Sequence, residues 1–228
     1  MTTHEIVPGI EGSALALSEV LLAGGETSSI GSPEHDSLVY VFAGSGVLAA
    51  NGATWPVASG AAGLILAGEE GQLEAVEGEV AALVATVGPD ADRHAPIGAR
   101  GTVVRLNHSG SEQATGSRSY QVLLGPHNGS TRATLFAGYI PPGKGPWHYH
   151  LYDEIVWVPE GPGRLHVGEE TEELAPGSAF RLRPRQAHIV ENPSADREMT
   201  IIGFFTPAGS PSAAYLAPGV AAEYRFAG

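Results

Sequence analysis

The chain has 228 residues, 43% of them hydrophobic, enough for one large or two modest packed domains and too apolar for wholesale disorder. Its 31 glycines and 17 prolines, with only 16% charged residues, argue against helical bundles, whose surfaces need many Lys and Glu, and favour a turn-rich β protein. A formal charge of −13 and the absence of cysteine weigh against nucleic-acid and anionic-membrane partners and remove disulfides and thiolate chemistry.

The first residues, Met1-Thr2-Thr3-His4-Glu5, lack a basic segment followed by an apolar one, and no apolar run approaches membrane-spanning length, so a soluble, cytoplasmic protein is expected. Lys144 is the single lysine, which makes Schiff-base chemistry an unpromising option. After a lead-in arm, short β runs are predicted at residues 20–23, 38–42, 47–50, 54–57, 63–67 and 79–87. Gly24-Gly25, Ala43-Gly44-Ser45-Gly46 and the hairpin signal Asn51-Gly52 punctuate them. The polar segment from Gly88 to Arg93 closes a first unit, and the boundary is set at residue 98, giving domains 1–98 and 99–228.

Another strand is expected within 99–106, and the Ser- and Gly-rich stretch 107–119 reads as a linker or surface loop. The strand pattern resumes at 120–124, 133–140, 154–158, 164–167, 179–182, 188–191 and 199–205. The tail, Thr206 to Gly228, is expected to cover an edge or mouth of the second unit, or to act as a lid.

The two halves repeat each other at a shift of 117 positions. Tyr152-Asp153-Glu154-Ile155-Val156-Trp157-Val158 falls on His35-Asp36-Ser37-Leu38-Val39-Tyr40-Val41, and Gly161, Gly163, Leu165 and Gly177 fall on Gly44, Gly46, Leu48 and Gly60. Turn glycines and strand-core residues set a backbone path, so both halves are expected to share one fold.

The chemistry lies in Trp147-His148-Tyr149-His150-Leu151-Tyr152-Asp153-Glu154 and, further on, His188. On an extended strand the period of two sends His148 and His150 to one face and Tyr149 to the other. Glu154 can then bring an anionic oxygen to the same point. Three imidazoles and one carboxylate suit a divalent first-row metal with positions left for solvent or substrate. The corresponding residues of the first half are Gly31, Pro33, Ser37 and Gly71, none able to ligate as the originals do, so one metal per chain is expected. His35 and Glu34 offer a remote alternative there, at the wrong spacing.

Gly143, His148, His150, Glu154 and Gly161, followed by Gly177, His188 and Asn192, resemble the two motifs of the cupin superfamily. Arg183 and Arg185 stand where that family usually has proline and glycine. The resemblance implies an all-β chain with two tandem conical jelly-roll β-barrels, a bicupin, whose metal motif is intact only in the C-terminal barrel. It implies iron, manganese, nickel, zinc or copper held by the residues matching His148, His150, Glu154 and His188. Family members include dioxygenases, decarboxylases, isomerases, hydrolases, lyases and proteins without catalysis, so the fold does not choose the reaction.

The leading expectation is a metal-dependent enzyme acting on a small oxygenated metabolite by a dioxygenase-type reaction. The alternatives are a redox-neutral isomerase, a decarboxylase, a hydrolase like the ureidoglycine aminohydrolases, and a metal or small-molecule binder without turnover. Strand parity places Val156 and Val158 beside Glu154, and Val190 and Asn192 beside His188, forming a largely apolar wall. Tyr139, Gln121, Tyr152 and His166 are the polar candidates beside the site, and Arg181, Arg183 and Arg185 are positive spots that could meet an anionic substrate. A homodimer is expected as the commonest way to cover an exposed sheet face.

Overall fold

The structure, a computed structural model, describes residues 1–107, 110–114 and 117–217. The last part of the predicted tail lies outside the described residues. The chain is built of short strands, and no helix among the described residues is long and apolar enough to cross a membrane.

The first copy comprises β1 (Thr2–Val7), β2 (Leu15–Leu22), β3 (Thr27–Ser29), β4 (Asp36–Ala50), β5 (Ala53–Ala58), β6 (Ala61–Ile65), β7 (Gly71–Glu74) and β8 (Val80–Val87). β9 (Val103–Arg105) extends its sheet beyond β6. One face runs β1-β2-β8-β4-β6-β9, while the far half of β4 pairs with β5 and β7, and β7 with β3.

The second copy follows as β10 (Glu112–Gln113), β11 (Ser119–Leu124), β12 (Thr134–Ile140), β13 (His148–His150), β14 (Asp153–Trp157) and β15 (Gly163–Val167). It closes with β16 (Glu170–Leu174), β17 (Ala179–Leu182), β18 (His188–Glu191), β19 (Met199–Thr206) and β20 (Ala214–Leu216). Its sheets run β10-β11-β12-β19-β14-β17 and β16-β15-β18-β13-β20. The order β11-β12-β19-β14-β17 reproduces β1-β2-β8-β4-β6, and β16-β15-β18-β13 reproduces β5-β4-β7-β3. The repeat read from the letters is thus a repeat of strand order.

At Ala43-Gly44-Ser45-Gly46 the expected turn is not a turn. β4 runs straight through it, with a bulge between Val41 and Ala43 and a left-handed φ of 75° at Gly44. The strand bends from one sheet into the other there, as bulged strands do. A Cβ on Gly44 would overlap the Glu79 carbonyl, so only glycine fits the bend.

Buried apolar clusters hold the molecule together. Val39, Val41, Leu48, Ile65 and Leu73 fill the first copy, and Val156, Val158, Leu165, Leu182 and Val190 fill part of the second. Between them, Leu38, Tyr40 and Leu64 of the first copy share one cluster with Leu135, Ile155, Trp157 and Phe204 of the second. The two large sheets therefore pack face to face, and central strands such as β6, β12 and β14 bury both their surfaces. Such strands read as continuous apolar runs, which is why Leu38-Val39-Tyr40-Val41 shows no alternation.

Candidate metal centre

His148 and His150 lie on β13, with Tyr149 on the outer side stacked on Tyr215 of β20, centroids 5.5 Å apart. β18 runs antiparallel beside β13, and its register sets His188 directly opposite His148. The ring centroids of these two are 4.4 Å apart, and those of His150 and His188 are 5.0 Å apart. Leu151 and Tyr152 carry the chain across to β14, which delivers Glu154 from the other sheet. His150, His188 and Glu154 are each at most 5% exposed.

Each imidazole is held in the same way. His148 Nδ1 donates to the Pro146 carbonyl at 3.0 Å, His150 Nδ1 to that of Tyr152 at 2.8 Å and His188 Nδ1 to that of Gln186 at 2.8 Å. A carbonyl can only accept, so in each ring Nδ1 carries the hydrogen and Nε2 keeps its lone pair. This is the support that orients a metal-bound histidine. Burial lowers the pKa of His148 to about 4, helped by the charge of Arg118, and that of His188 to about 2, helped by His148. Both are neutral at physiological pH, the form that ligates.

His150 differs. Its Nε2 stands 2.8 Å from Glu154 Oε2 yet finds no hydrogen bond of acceptable geometry. Burial lowers its pKa, but the Glu154 carboxylate outweighs burial and the net direction is upward. A lone pair facing a carboxylate calls for a positive charge, either a proton or a metal ion. The donor set therefore fits a divalent transition metal: three oriented nitrogens, one of them, His150 Nε2, buried without a hydrogen bond, and one anionic oxygen. Among the described residues, no three such side chains have closed to the spacing of a formed metal site; the structure shows the four gathered on one cavity.

That cavity measures about 90 Å³, small beside the usual small-molecule pocket. Phe136, Val156, Leu182, Val190 and Ile201 give it apolar walls. Val158 lies in the core instead, and Asn192 turns its amide to the Ile140 and Arg197 carbonyls. Pro211 and Ala214 of the chain's last described segment also line the cavity, and β20 pairs with β13 along its full length. This part of the tail covers the edge of β13. A larger groove of about 600 Å³ lies in the first copy, beside Gly31 and Glu69. It holds no histidine, and Glu69 is ion-paired with Arg100.

The polar candidates separate. Tyr152 lines the cavity, lies flat on His150 with centroids 4.0 Å apart, and donates to the Pro211 carbonyl at 3.3 Å. Tyr139 reaches the cavity from the shared core. His166 is on the outer face, between Thr171 Oγ1 at 2.9 Å and Glu191 Oε2 at 2.6 Å, and does not touch the cavity. Gln121 accepts the Asn107 N–H at 2.9 Å, away from the four. Arg181 does not line this cavity; it joins Asp153 to Ser13, Pro8 and Leu15 of the first copy. Arg185 takes a left-handed φ of 64°, as the family's usual glycine would, and its N–H holds the His150 carbonyl at 2.7 Å.

The residue that sequence reasoning missed is Arg118, which lines the cavity and donates from Nη2 to the Val190 carbonyl at 2.8 Å. Its only signal was being the sole arginine or lysine in 107–119. In the first copy the equivalent positions are closed. A Cβ on Gly31 would overlap the Glu69 carbonyl, one on Gly71 would come within 2.9 Å of Ile65, and Ser37 donates to the Ile30 carbonyl. His35 pairs with Ser32 at 3.3 Å while Glu34 is exposed.

Residues 137–205 match the sequence family described as Cupin domain. A search of curated proteins finds no matching sequence. Solved structures of similar fold include AerE from Microcystis aeruginosa, with 14% identity and a TM-score of 0.69 over 85% of this chain and 88% of that one. A mutant of the Bacillus subtilis oxalate decarboxylase has 13% identity and a TM-score of 0.71 over 90% and 71%. Salicylate 1,2-dioxygenase from Pseudaminobacter salicylatoxidans has 14% identity and a TM-score of 0.68 over 89% and 76%. At these identities the likeness is one of fold.

Proposed function

We propose that this all-β jelly-roll chain, whose residues 137–205 match the Cupin domain family, is a member of the cupin superfamily and a metal-dependent enzyme acting on a small oxygenated organic metabolite. His148, His150, Glu154 and His188 would hold one divalent transition ion per chain. The observation that carries this reading is the set of three buried imidazoles, each fixed through Nδ1 to a backbone carbonyl, around one carboxylate and a small cavity. A bound ion would supply Lewis acidity or, if redox-active, a path to dioxygen chemistry. The relatives in hand span both outcomes, since one is named a dioxygenase and another, a decarboxylase, has Mn(II) centres.

The chain's own residues do the rest. Glu154 and the imidazoles fix the position of the ion, and the apolar walls exclude bulk water. Tyr152 keeps His150 in plane by stacking. The dioxygenase-type reaction is placed first; a redox-neutral conversion is the second reading, and what favours it is a cavity of about 90 Å³, small for a substrate together with dioxygen. The first copy, residues 1–98, would be a scaffold without metal, and a homodimer would cover exposed side chains such as Leu151 and Tyr215 beside β13.

The test is anaerobic purification with metal analysis, then reconstitution with Fe(II), Mn(II), Ni(II), Zn(II) or Cu(II), followed by oxygen-uptake and product screens over phenolic, enol and 2-oxo-acid compounds. Oxygen uptake with one compound class supports the first reading. Anaerobic turnover supports the second, and silence with every metal leaves a binding protein. Light scattering in solution tests the dimer.

A further inference from the structure

The cavity is closed off from solvent. His150 and His188 are each 2% exposed and Glu154 5%, and the space between them is about 90 Å³, so a ligand reaches them only when part of the wall moves. Most of that wall is locked in sheets. β12 pairs with β19 over its whole length, and β14 lies hydrogen-bonded between β17 and β19. Parting such ladders would strand backbone groups and core side chains together.

The stretch between β19 and β20 is held differently. Ala208 is buried, and Gly209 is fixed at both its N–H and its carbonyl by Thr134 Oγ1, each at 3.0 Å. Beyond it Ser210, Ser212 and Ala213 are exposed, and Pro211, which lines the cavity, has no N–H to give. β20 then anchors the chain again by pairing with β13. Among the described residues, the hydrogen bonds that tie residues 210–213 to the sheets between these anchors come from two tyrosine hydroxyls. Tyr120 donates to Glu112 Oε2 at 2.9 Å and so accepts from Ser210 Oγ at 3.2 Å, while Tyr152 donates to the Pro211 carbonyl at 3.3 Å.

Both tyrosine rings line the cavity and are buried in one aromatic cluster with Phe136 and Phe205, so the rings are fixed and the exposed segment is the part free to lift. There is open space on its outer side: Tyr120 and Ser210 also border a groove of about 500 Å³. We infer that residues 210–213 form a gate over the cavity, latched by the hydroxyls of Tyr120 and Tyr152, and that its release joins the cavity to the groove. Gly209, where an added Cβ would meet nothing within 4 Å, is one hinge, and the start of β20 is the other. The inference goes beyond the metal reading, because it concerns how the cavity is reached, whatever binds there. The plainer view, that these hydroxyls only add stability, predicts that their loss loosens the whole fold alike.

The experiment labels the metal-free full chain with diethyl pyrocarbonate, a reagent too large for the closed cavity. It transfers an ethoxycarbonyl group to a neutral imidazole nitrogen, and the ring hydrogen leaves with ethanol and carbon dioxide. Peptide mass spectrometry follows His188 in the cavity, with exposed His4 as the reagent standard and His166, 8% exposed on the outer face, as the standard for general opening. Labelling of His188 relative to His4 should rise about fivefold in Ser210→Ala and about fivefold in Tyr152→Phe, each lacking one neutral hydrogen bond, and the two effects should multiply in the double variant. Tyr120→Phe added to Ser210→Ala should raise it no further, because both remove the same contact. His166 should keep its wild-type rate throughout. Should Tyr152→Phe fail to fold, Ser210→Ala, at an exposed position, decides alone. Unchanged labelling of His188 in Ser210→Ala, or a parallel rise at His166, overturns the gate and leaves the metal reading intact. A chain that labels in the expected pattern but takes up none of the five metals keeps the gate and loses the metal reading.

Discussion

His150 Nε2 and Glu154 Oε2 face each other at 2.8 Å in a place where neither side chain is more than 6% exposed. With Nδ1–H given to the Tyr152 carbonyl, a neutral imidazole has only a lone pair to turn toward the carboxylate, so this contact calls for a proton or a metal ion on Nε2. A metal that binds the folded chain alone stabilises it by about 2.7 kcal/mol at a hundred times its dissociation constant. Addition of Mn(II) or Zn(II) should raise the thermal midpoint, and a chelator should reverse the rise. Glu154→Gln and His188→Gln should abolish the rise, while His166→Gln, on the outer face, should keep it. A rise of wild-type size in the first two variants would mean that the ion binds elsewhere.

The metal-free protein should lose stability as pH falls. For His148 and His188 the folded pKa lies below the usual histidine value, at about 4 and about 2. The unfolded chain therefore takes up protons first. Stability is intact above about pH 6.5 and declines as the pH falls below it, toward 4 for His148 and further for His188. His150, raised by Glu154, works in the opposite direction but is one group against two. Between pH 7 and 5 the loss should be of the order of 2 kcal/mol for each lowered group. Urea denaturation at the two pH values measures it, and His188→Gln should flatten the dependence. An unchanged slope in that variant would show that His188 is not held neutral.

How far the letters reached depends on distance along the chain. The His-x-His pair and the strand that carries it are local, and so is the alternation that points Val156 into the cavity. The pairing of strand order between the halves was legible because glycines such as Gly44 and Gly161 recur at fixed spacing. Arg118 was not legible, because what gives it meaning is a hydrogen bond to Val190, 72 residues away. Arg181 misled for a similar reason: a surface-looking charge is buried once Pro8, Ser13 and Leu15 fold against it. The bend in β4 looked like a turn because glycine serves both a turn and a bulge.

Restoring histidines to the first copy should not create a second metal site. Gly31 and Gly71 lie where His148 and His188 do in the second copy, but added side chains meet the Glu69 backbone and Ile65. Overpacking of this kind costs about 1 to 3 kcal/mol per site. Gly31→His with Gly71→His should therefore lower the denaturation midpoint and leave metal stoichiometry unchanged. A second equivalent of bound metal would show that the first copy had merely lost its ligands and was not closed against them.

Arg181 joins the two copies more directly than any apolar contact. Nη1 reaches Asp153 and Ser13 Oγ, and Nη2 reaches the carbonyls of Pro8 at 2.9 Å and Leu15 at 2.7 Å. Both charged side chains are at most 10% exposed. Replacing Arg181 with Met keeps the volume but leaves the buried Asp153 carboxylate without its counter-charge, held only by the Ser13 hydroxyl at 2.5 Å, a loss of about 3 to 5 kcal/mol. Adding Asp153→Asn removes the stranded charge, so the double variant should be more stable than Arg181→Met alone. Because Asp153 precedes Glu154 on β14, the single variant should also weaken metal binding, and the double variant should recover part of it. Equilibrium unfolding and metal titration of the three proteins decide this: a cost below about 1 kcal/mol for Arg181→Met would reduce the pair to an ordinary surface bridge.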